Sequence, residues 1–155
     1  MRKVQIEGLS NGGPSLSGFW FDLENVAVAE LSSEDPQHPF EHALAGGTTG
    51  WKASSPGPQL IRLRFDSPQN VRRVRLRFQE ERIERAQEFA LFATAAGAQR
   101  KEIMRQQWMF SPRGNTAEVE DYFFDLRGVT VLEIEIDPGR DNKQVIATLQ
   151  SIEVG

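Results

Sequence analysis

Residues 32–51 read SSEDPQHPFEHALAGGTTGW. Pro36, Pro39 and the polar run Ser32–Asp35 forbid regular sheet here, while PFEHAL can wind one helical turn with Pro39 at its start. Gly46, Gly47 and Gly50 permit positive φ angles in a tight loop. Trp51 follows at once, as a large apolar residue with a core role. What comes after it decides the fold class: a series of short runs with apolar residues at every second position.

The clearest of these lie in QLIRLRFDSPQNVRRVRLRF, residues 59–78. Ile61, Leu63 and Phe65 face one way, with Arg62 and Arg64 on the other. Val74, Leu76 and Phe78 repeat the pattern against Arg73, Arg75 and Arg77. Period two on both sides of DSPQN predicts an antiparallel pair with one wet face. Upstream, NVAVAEL predicts a strand over Asn25–Leu31. The first 24 residues form a Gly/Ser-rich lead-in with FWF at 19–21 and one short strand. SSPGPQ at 54–59 is a turn. Residues 80–107 support two readings. Their helix formers favour a helix over Glu80–Ala96, whereas the alternation of Phe89, Leu91 and Ala93 favours strands at 88–94 and 101–107 around AAGAQR. FSPRGNT at 110–116 is a loop. Strands are expected at 117–125, 131–137 and 145–154, with GRDN at 139–142 as a turn. About eight strands with turns every 8–12 residues point to an all-β, two-sheet antiparallel sandwich.

At 155 residues the chain fits one domain, 1–155, with residues 25–155 as its core. No apolar run approaches membrane-spanning length, and MRKVQIEGLSNGG has no apolar signal core, so a cytoplasmic location is expected. The absence of cysteine excludes disulfides, thiol catalysis and cysteine-based metal sites. A net charge of −4 gives no general attraction to nucleic acid or to anionic membrane. Arginine outnumbers lysine 14 to 4, which suits ordered ion pairs.

The order of elements resembles the discoidin, or coagulation-factor type C, domains and the related bacterial carbohydrate-binding modules, from Asn25 to Gly155. The opening strand with Ser32–Glu34 is similar to their Asn-Leu-Ala…Ser-Ser start, and EHALAGGTTGW to their Ala-Leu-Asp-Gly…Thr-x-Trp element. Residues 59–78 resemble their strands around an Asp-Leu-Gly corner, EFALFAT the strand before their Asp-Gly hairpin, and ATLQSIEVG their last strand with its closing Gly. The resemblance implies a galactose-binding-domain-like jelly roll, resolves 88–94 and 101–107 as strands, and places Trp51 in the core. It implies binding without catalysis, with a glycan or a protein as ligand; the second case is an intracellular protein–protein interaction domain. A symmetric oligomer is a third reading.

Many members of that family hold a structural calcium ion before the Trp. Here the matching Asp is Ala45, and Gln150 or Ser151 stands near the matching Glu, so no metal or other cofactor is expected. His38 and His42, with Pro39 between them, are read as residues of their own turn. No nucleophile elbow, phosphate loop or dinucleotide fingerprint occurs. The Arg ladder at 62, 64, 73, 75 and 77 is expected to pair across strands with acids such as Glu118, Glu120, Glu133 and Glu135; its functional alternative is a grip on phosphate, sulfate or uronate. Ligand-binding candidates are Trp108, Phe110, Arg113 and Asn115 in WMFSPRGN, with Arg82 and Arg85 beside them: aromatic rings stack on sugars while Arg and Asn bond hydroxyls, and for Trp108 a place in the core is the alternative reading.

Overall fold

The computed structural model describes residues 20–44 and 49–155. Residues 1–19 of the lead-in expected to carry a short strand, the calcium-loop position Ala45, and Gly46 and Gly47 lie outside the described residues; Trp20–Glu24, which are described, form no strand. Within them the chain forms a short helical turn α1 (Leu23–Val26) and eight strands: β1 (Ala27–Leu31), β2 (Trp51–Pro56), β3 (Gln59–Gln79), β4 (Arg85–Ala95), β5 (Lys101–Phe110), β6 (Ala117–Asp137), β7 (Ile146–Leu149) and β8 (Ser151–Val154). A 3₁₀ turn spans Phe40–Ala43, with Pro39 preceding it as the sequence predicts. All strand pairs are antiparallel. Among the described residues no helix is long and apolar enough to cross a membrane.

β3 and β6 build the sandwich. Each is 21 residues long, and they pair along their whole length as one ribbon whose register breaks three times between Arg64 and Arg73. The first half of β3 lies between β1 and β6, in the order β1-β3-β6-β4-β5. Its second half lies between β6 and β8. The ribbon therefore passes from one layer to the other, and β2 pairs with β7 in a separate two-stranded sheet.

This corrects the expectation that runs 61–65 and 73–78 pair with each other. Such a hairpin would set arginine against arginine on the wet face, which is unfavourable. Paired with β6, Arg62 stands opposite Glu133 and Arg75 opposite Asp121. Pro68, which has no N–H to give a ladder, sits in the irregular corner. β6 likewise joins the two strands expected at 117–125 and 131–137, turning at Gly128 (φ +65°), whose N–H donates to Asn70 Oδ1 at 3.1 Å. The run 145–154 divides at Gln150, whose N–H donates to Arg77 O. Asn25 and Val26 belong to α1 rather than to a strand, because Asp22 accepts from both backbone N–H groups and from the Asn25 side chain at 2.6 Å.

Within residues 80–107 the chain forms the strands β4 and β5 joined by a turn, as the resemblance implied, and no helix. Phe89 and Leu91 are buried between the layers, and burying such a side chain is worth about 1.5–3 kcal/mol, more than the summed helix propensity of their polar neighbours. Gly97 (φ +76°) closes the β4–β5 turn. Trp51, Ile61, Leu63, Leu76, Phe78, Leu132, Ile134 and Leu149 complete the core.

Four of the five ladder arginines pair across strands, Arg62, Arg64, Arg73 and Arg75, and Arg77 makes no ion pair among the described residues. Arg62 bonds Glu133 (2.8 Å) and Glu30 (3.1 Å), and Arg100 bonds Glu133 (2.7 Å) and Glu135 (2.6 Å) while covering the Phe92 ring at 3.6 Å. Arg73 takes Asp121 and Arg75 takes Glu153, so three of the ladder's partners, Glu30, Asp121 and Glu153, differ from the acids expected. Glu118 is not among them, because it points into the sandwich.

Candidate functional site

The polar residues of 32–51 are spent first on framework. Ser32 and Ser33 hydroxyls both donate to Gln59 Oε1 (2.6 and 2.7 Å), and Ser33 O accepts the Trp51 indole N–H at 3.2 Å. Glu34 caps the 3₁₀ turn by accepting Phe40 N–H at 2.6 Å. His42 Nδ1 lies 2.7 Å from Thr49 Oγ1, and His38 Nδ1 lies 3.4 Å from Asp35 Oδ2, so both histidines serve their own loop. No group of three or more His, Asp or Glu suited to a metal occurs among the described residues.

That framework holds the segment Asp35–His38 against β2: Asp35 N–H donates to Lys52 O (2.9 Å) and Lys52 N–H to His38 O (3.1 Å). Between this segment and the β2–β7 ribbon lies a groove of about 490 Å³. Pro36, Ala53 and Ile146 give it apolar surface; Asp35, Lys52, Ser54 and Thr148 give it polar groups. Asp35 accepts Gln37 N–H at 2.9 Å, and that bond, followed by the nearby His38 ring, holds its carboxyl below the ordinary range. It is an ionised acceptor at neutral pH. Thr148 Oγ1 is covered yet has no hydrogen-bond partner among the described residues, an unmet donor and acceptor in the groove wall.

The sequence candidates occupy the same end of the sandwich on other loops. Glu80 N–H donates to Thr116 O, tying loop 80–84 to loop 111–116, and Arg140 N–H donates to Ala86 O while Gly57 N–H donates to Val145 O, extending the row toward the groove. Arg82, Arg113 and Asn115 are exposed there. Trp108 is half-buried against the core, opposite Gln87 in register. Phe110 and Arg85 are corrected. Phe110 is 0% exposed, because the alternation of β5 sends Trp108 and Phe110 inward and Met109 outward. Arg85, directly opposite Phe110, is 4% exposed with its guanidinium 4.6 Å from the Phe110 ring. It donates to Glu80 (2.8 Å), Gln87 (2.9 Å) and Pro138 O (2.7 Å), so neither residue can meet a ligand at the surface.

Behind Arg85 lies an acidic interior. Gln87 Nε2 donates to Glu118 Oε1 at 3.3 Å, and Tyr122 donates to Glu120 Oε1 at 2.5 Å. Burial first, and the Glu120 carboxyl second, push Glu118 up to about 9. Burial and the bond to Glu120 also raise Tyr122. Glu118 is 0% exposed and holds its proton at neutral pH, a structural acid with no route to a bound molecule at the surface.

Sequence reasoning missed Asp35, Lys52, Ser54 and Thr148. A signal existed: Lys52 follows a core Trp in a strand, so it must point outward, next to the turn that carries Asp35.

No protein-family model matches the chain, and no curated protein does. Solved structures do. The family 32 carbohydrate-binding module of AlyQ, in complex with 4,5-unsaturated mannuronic acid, is 18% identical, with 88% of this chain and 97% of that one covered and a TM-score of 0.63. The family 32 module of C. perfringens NanJ, in complex with galactose, is 16% identical, with 87% and 96% covered and a TM-score of 0.61. A third, from a family 31 glycoside hydrolase of Clostridium perfringens, is 16% identical, with 92% and 97% covered and a TM-score of 0.66. At these identities the likeness is one of fold: the chain is a discoidin-like, galactose-binding-like β-sandwich.

Proposed function

We propose that the chain is a non-catalytic carbohydrate-binding module whose saccharide sits in the groove between Asp35–His38 and the β2–β7 ribbon. The observation that carries this reading is the groove itself, which sets an ionised Asp35, Lys52 and the exposed Ser54 beside an apolar surface. A pyranose presents the matching set, with hydroxyls that both donate and accept around an apolar ring face. Two structures of the same fold were solved with sugars bound, which supports the class of ligand. Arg82, Arg113 and Asn115, on the adjoining loops, are placed to extend the contact to a longer glycan. The interior acid Glu118 takes no part.

The test is a broad glycan array probed with purified chain, with and without calcium. A specific hit that weakens at least about tenfold in Asp35→Asn or Lys52→Ala, with an unchanged melting temperature, is the expected result; losing a charge-assisted bond to a hydroxyl is worth about that much. A hit that both variants retain at full strength moves the site away from the groove.

A further inference from the structure

The outer face of the β8–β3–β6 layer carries groups that neither the groove nor the core uses. In register across it stand Arg73 and Phe123, Arg75 and Asp121, and Arg77 and Val119. Phe123 is 63% exposed and Val119 50%, unusual for apolar residues on a wet sheet face. Arg73 is fixed by a bidentate pair with Asp121 (2.9 and 2.7 Å), and its guanidinium carbon lies 4.9 Å from the Phe123 ring and 4.8 Å from Trp20. Arg75 is held by Glu153 at 2.6 Å and lies 5.0 Å from the Trp20 ring. Arg77 is exposed and makes no ion pair among the described residues. Three arginines against two acids leave this face cationic on a chain whose net charge is −4.

We propose that this face is a second glycan site, separate from the groove, that takes an acidic, uronate-bearing polysaccharide. The inference rests on the reading of the chain as a carbohydrate binder. Phe123 is the stacking platform, and the paired Arg73 beside it holds that platform in place without side-chain ordering on binding. Arg77, without an ion pair among the described residues, is the guanidinium for a sugar carboxylate, with bidentate geometry available to it. Positions 73 and 77 are four residues apart on one strand, about 13 Å, so ring stacking and carboxylate capture fall on different units of one extended chain. A second copy of the protein is a poorer occupant. Two exposed apolar side chains fall far short of the roughly 800 Å² per partner of a standard interface, and the unpaired Arg77 favours an acidic partner over another cationic face.

The experiment measures binding of galacturonic acid hexamer to the purified chain and to Arg77→Ala, Phe123→Ala and Lys52→Ala, with melting curves to establish folding and sedimentation to establish mass. The expected result is hexamer binding that weakens about tenfold or more in Arg77→Ala and Phe123→Ala and persists in Lys52→Ala. Hexamer binding lost in Lys52→Ala but kept in the other two would overturn this site and leave the groove standing. So would a chain that gives array hits yet ignores the hexamer. A chain that binds no glycan at all removes the groove reading and this one together. A wild-type dimer that Phe123→Ala dissolves would assign the face to a second copy, against the proposal.

Discussion

Glu118→Gln is expected to stabilise the protein, by an amount that grows with pH. The Glu118 carboxyl titrates near 9 in the fold against an ordinary 4.5. Between those values the folded state keeps a proton that the unfolded state has released, so stability falls as pH rises, by about 1.4 kcal/mol per pH unit. At pH 7 the accumulated cost is about 3 kcal/mol (roughly 2.5 pH units). Below pH 4.5 both states are protonated and the cost vanishes. Glutamine is neutral at every pH, its oxygen can accept the Gln87 N–H as Glu118 Oε1 does, and its NH₂ can face Glu120 in place of the acid proton. The assay is urea unfolding of wild type and variant at pH 5, 6, 7 and 8.5, taking the difference at each pH. The carboxyls that ion pairs hold low, Glu80, Glu133 and Asp121 among them, occur in both proteins and cancel. Tyr122 is raised above its usual range and titrates outside the window. A difference that stays flat from pH 5 to 8.5 would refute the claim that Glu118 is a buried neutral acid.

Three further outcomes follow from named contacts. Glu133→Gln removes the charge that Arg62 and Arg100 share, and should cost about 1–3 kcal/mol at pH 7. Burial raises the Glu133 carboxyl, but the two arginine bonds outweigh it and leave it lowered, so the wild-type advantage must be present above pH 4.5 and fade as pH falls below it. Gly50→Ala should cost more than Gly57→Ala in thermal melts. Both have positive φ (+74° and +90°), worth about 1–2 kcal/mol to a side chain, but a Cβ at Gly50 would also lie 2.7 Å from Leu149 O while one at Gly57 meets nothing within 4 Å. Phe110→Ala should lower stability by about 3–5 kcal/mol, the signature of a core ring, measurable by urea denaturation; a loss below about 1 kcal/mol would return Phe110 to the surface.

The strands were legible where one face is apolar. Ile61, Leu63 and Phe65 alternate with arginine, and Leu132, Ile134 and Ile136 with Glu133 and Glu135, so period two is visible locally. Partner choice was not local. Whether run 73–78 folds back on 61–65 or passes to another layer depends on which carboxylates come opposite its arginines, and those lie some fifty residues later at Asp121 and seventy-eight later at Glu153. Arg82, Arg113 and Asn115 were legible as residues of exposed loops, but the inward phase of Phe110 and Arg85 could be read only from the β4–β5 register. Asp35 and Thr148 were hidden because a groove forms between segments more than a hundred residues apart, where residue spacing carries no signal.

The β3–β6 ribbon also governs how the molecule can come apart. Because each long strand belongs to both layers, neither layer can melt while the other stays folded, and partial opening is confined to pieces lying outside the ribbon: the edge strands β1, β5 and β8 and the β2–β7 pair. Amide hydrogen exchange should therefore show one set of slow amides along both halves of β3 and β6, all opening with the same free energy, and faster ones in β5 and in the β2–β7 pair. The groove is built on that faster pair. A bound saccharide would close the least protected part of the protein and slow exchange there first, leaving the ribbon unchanged.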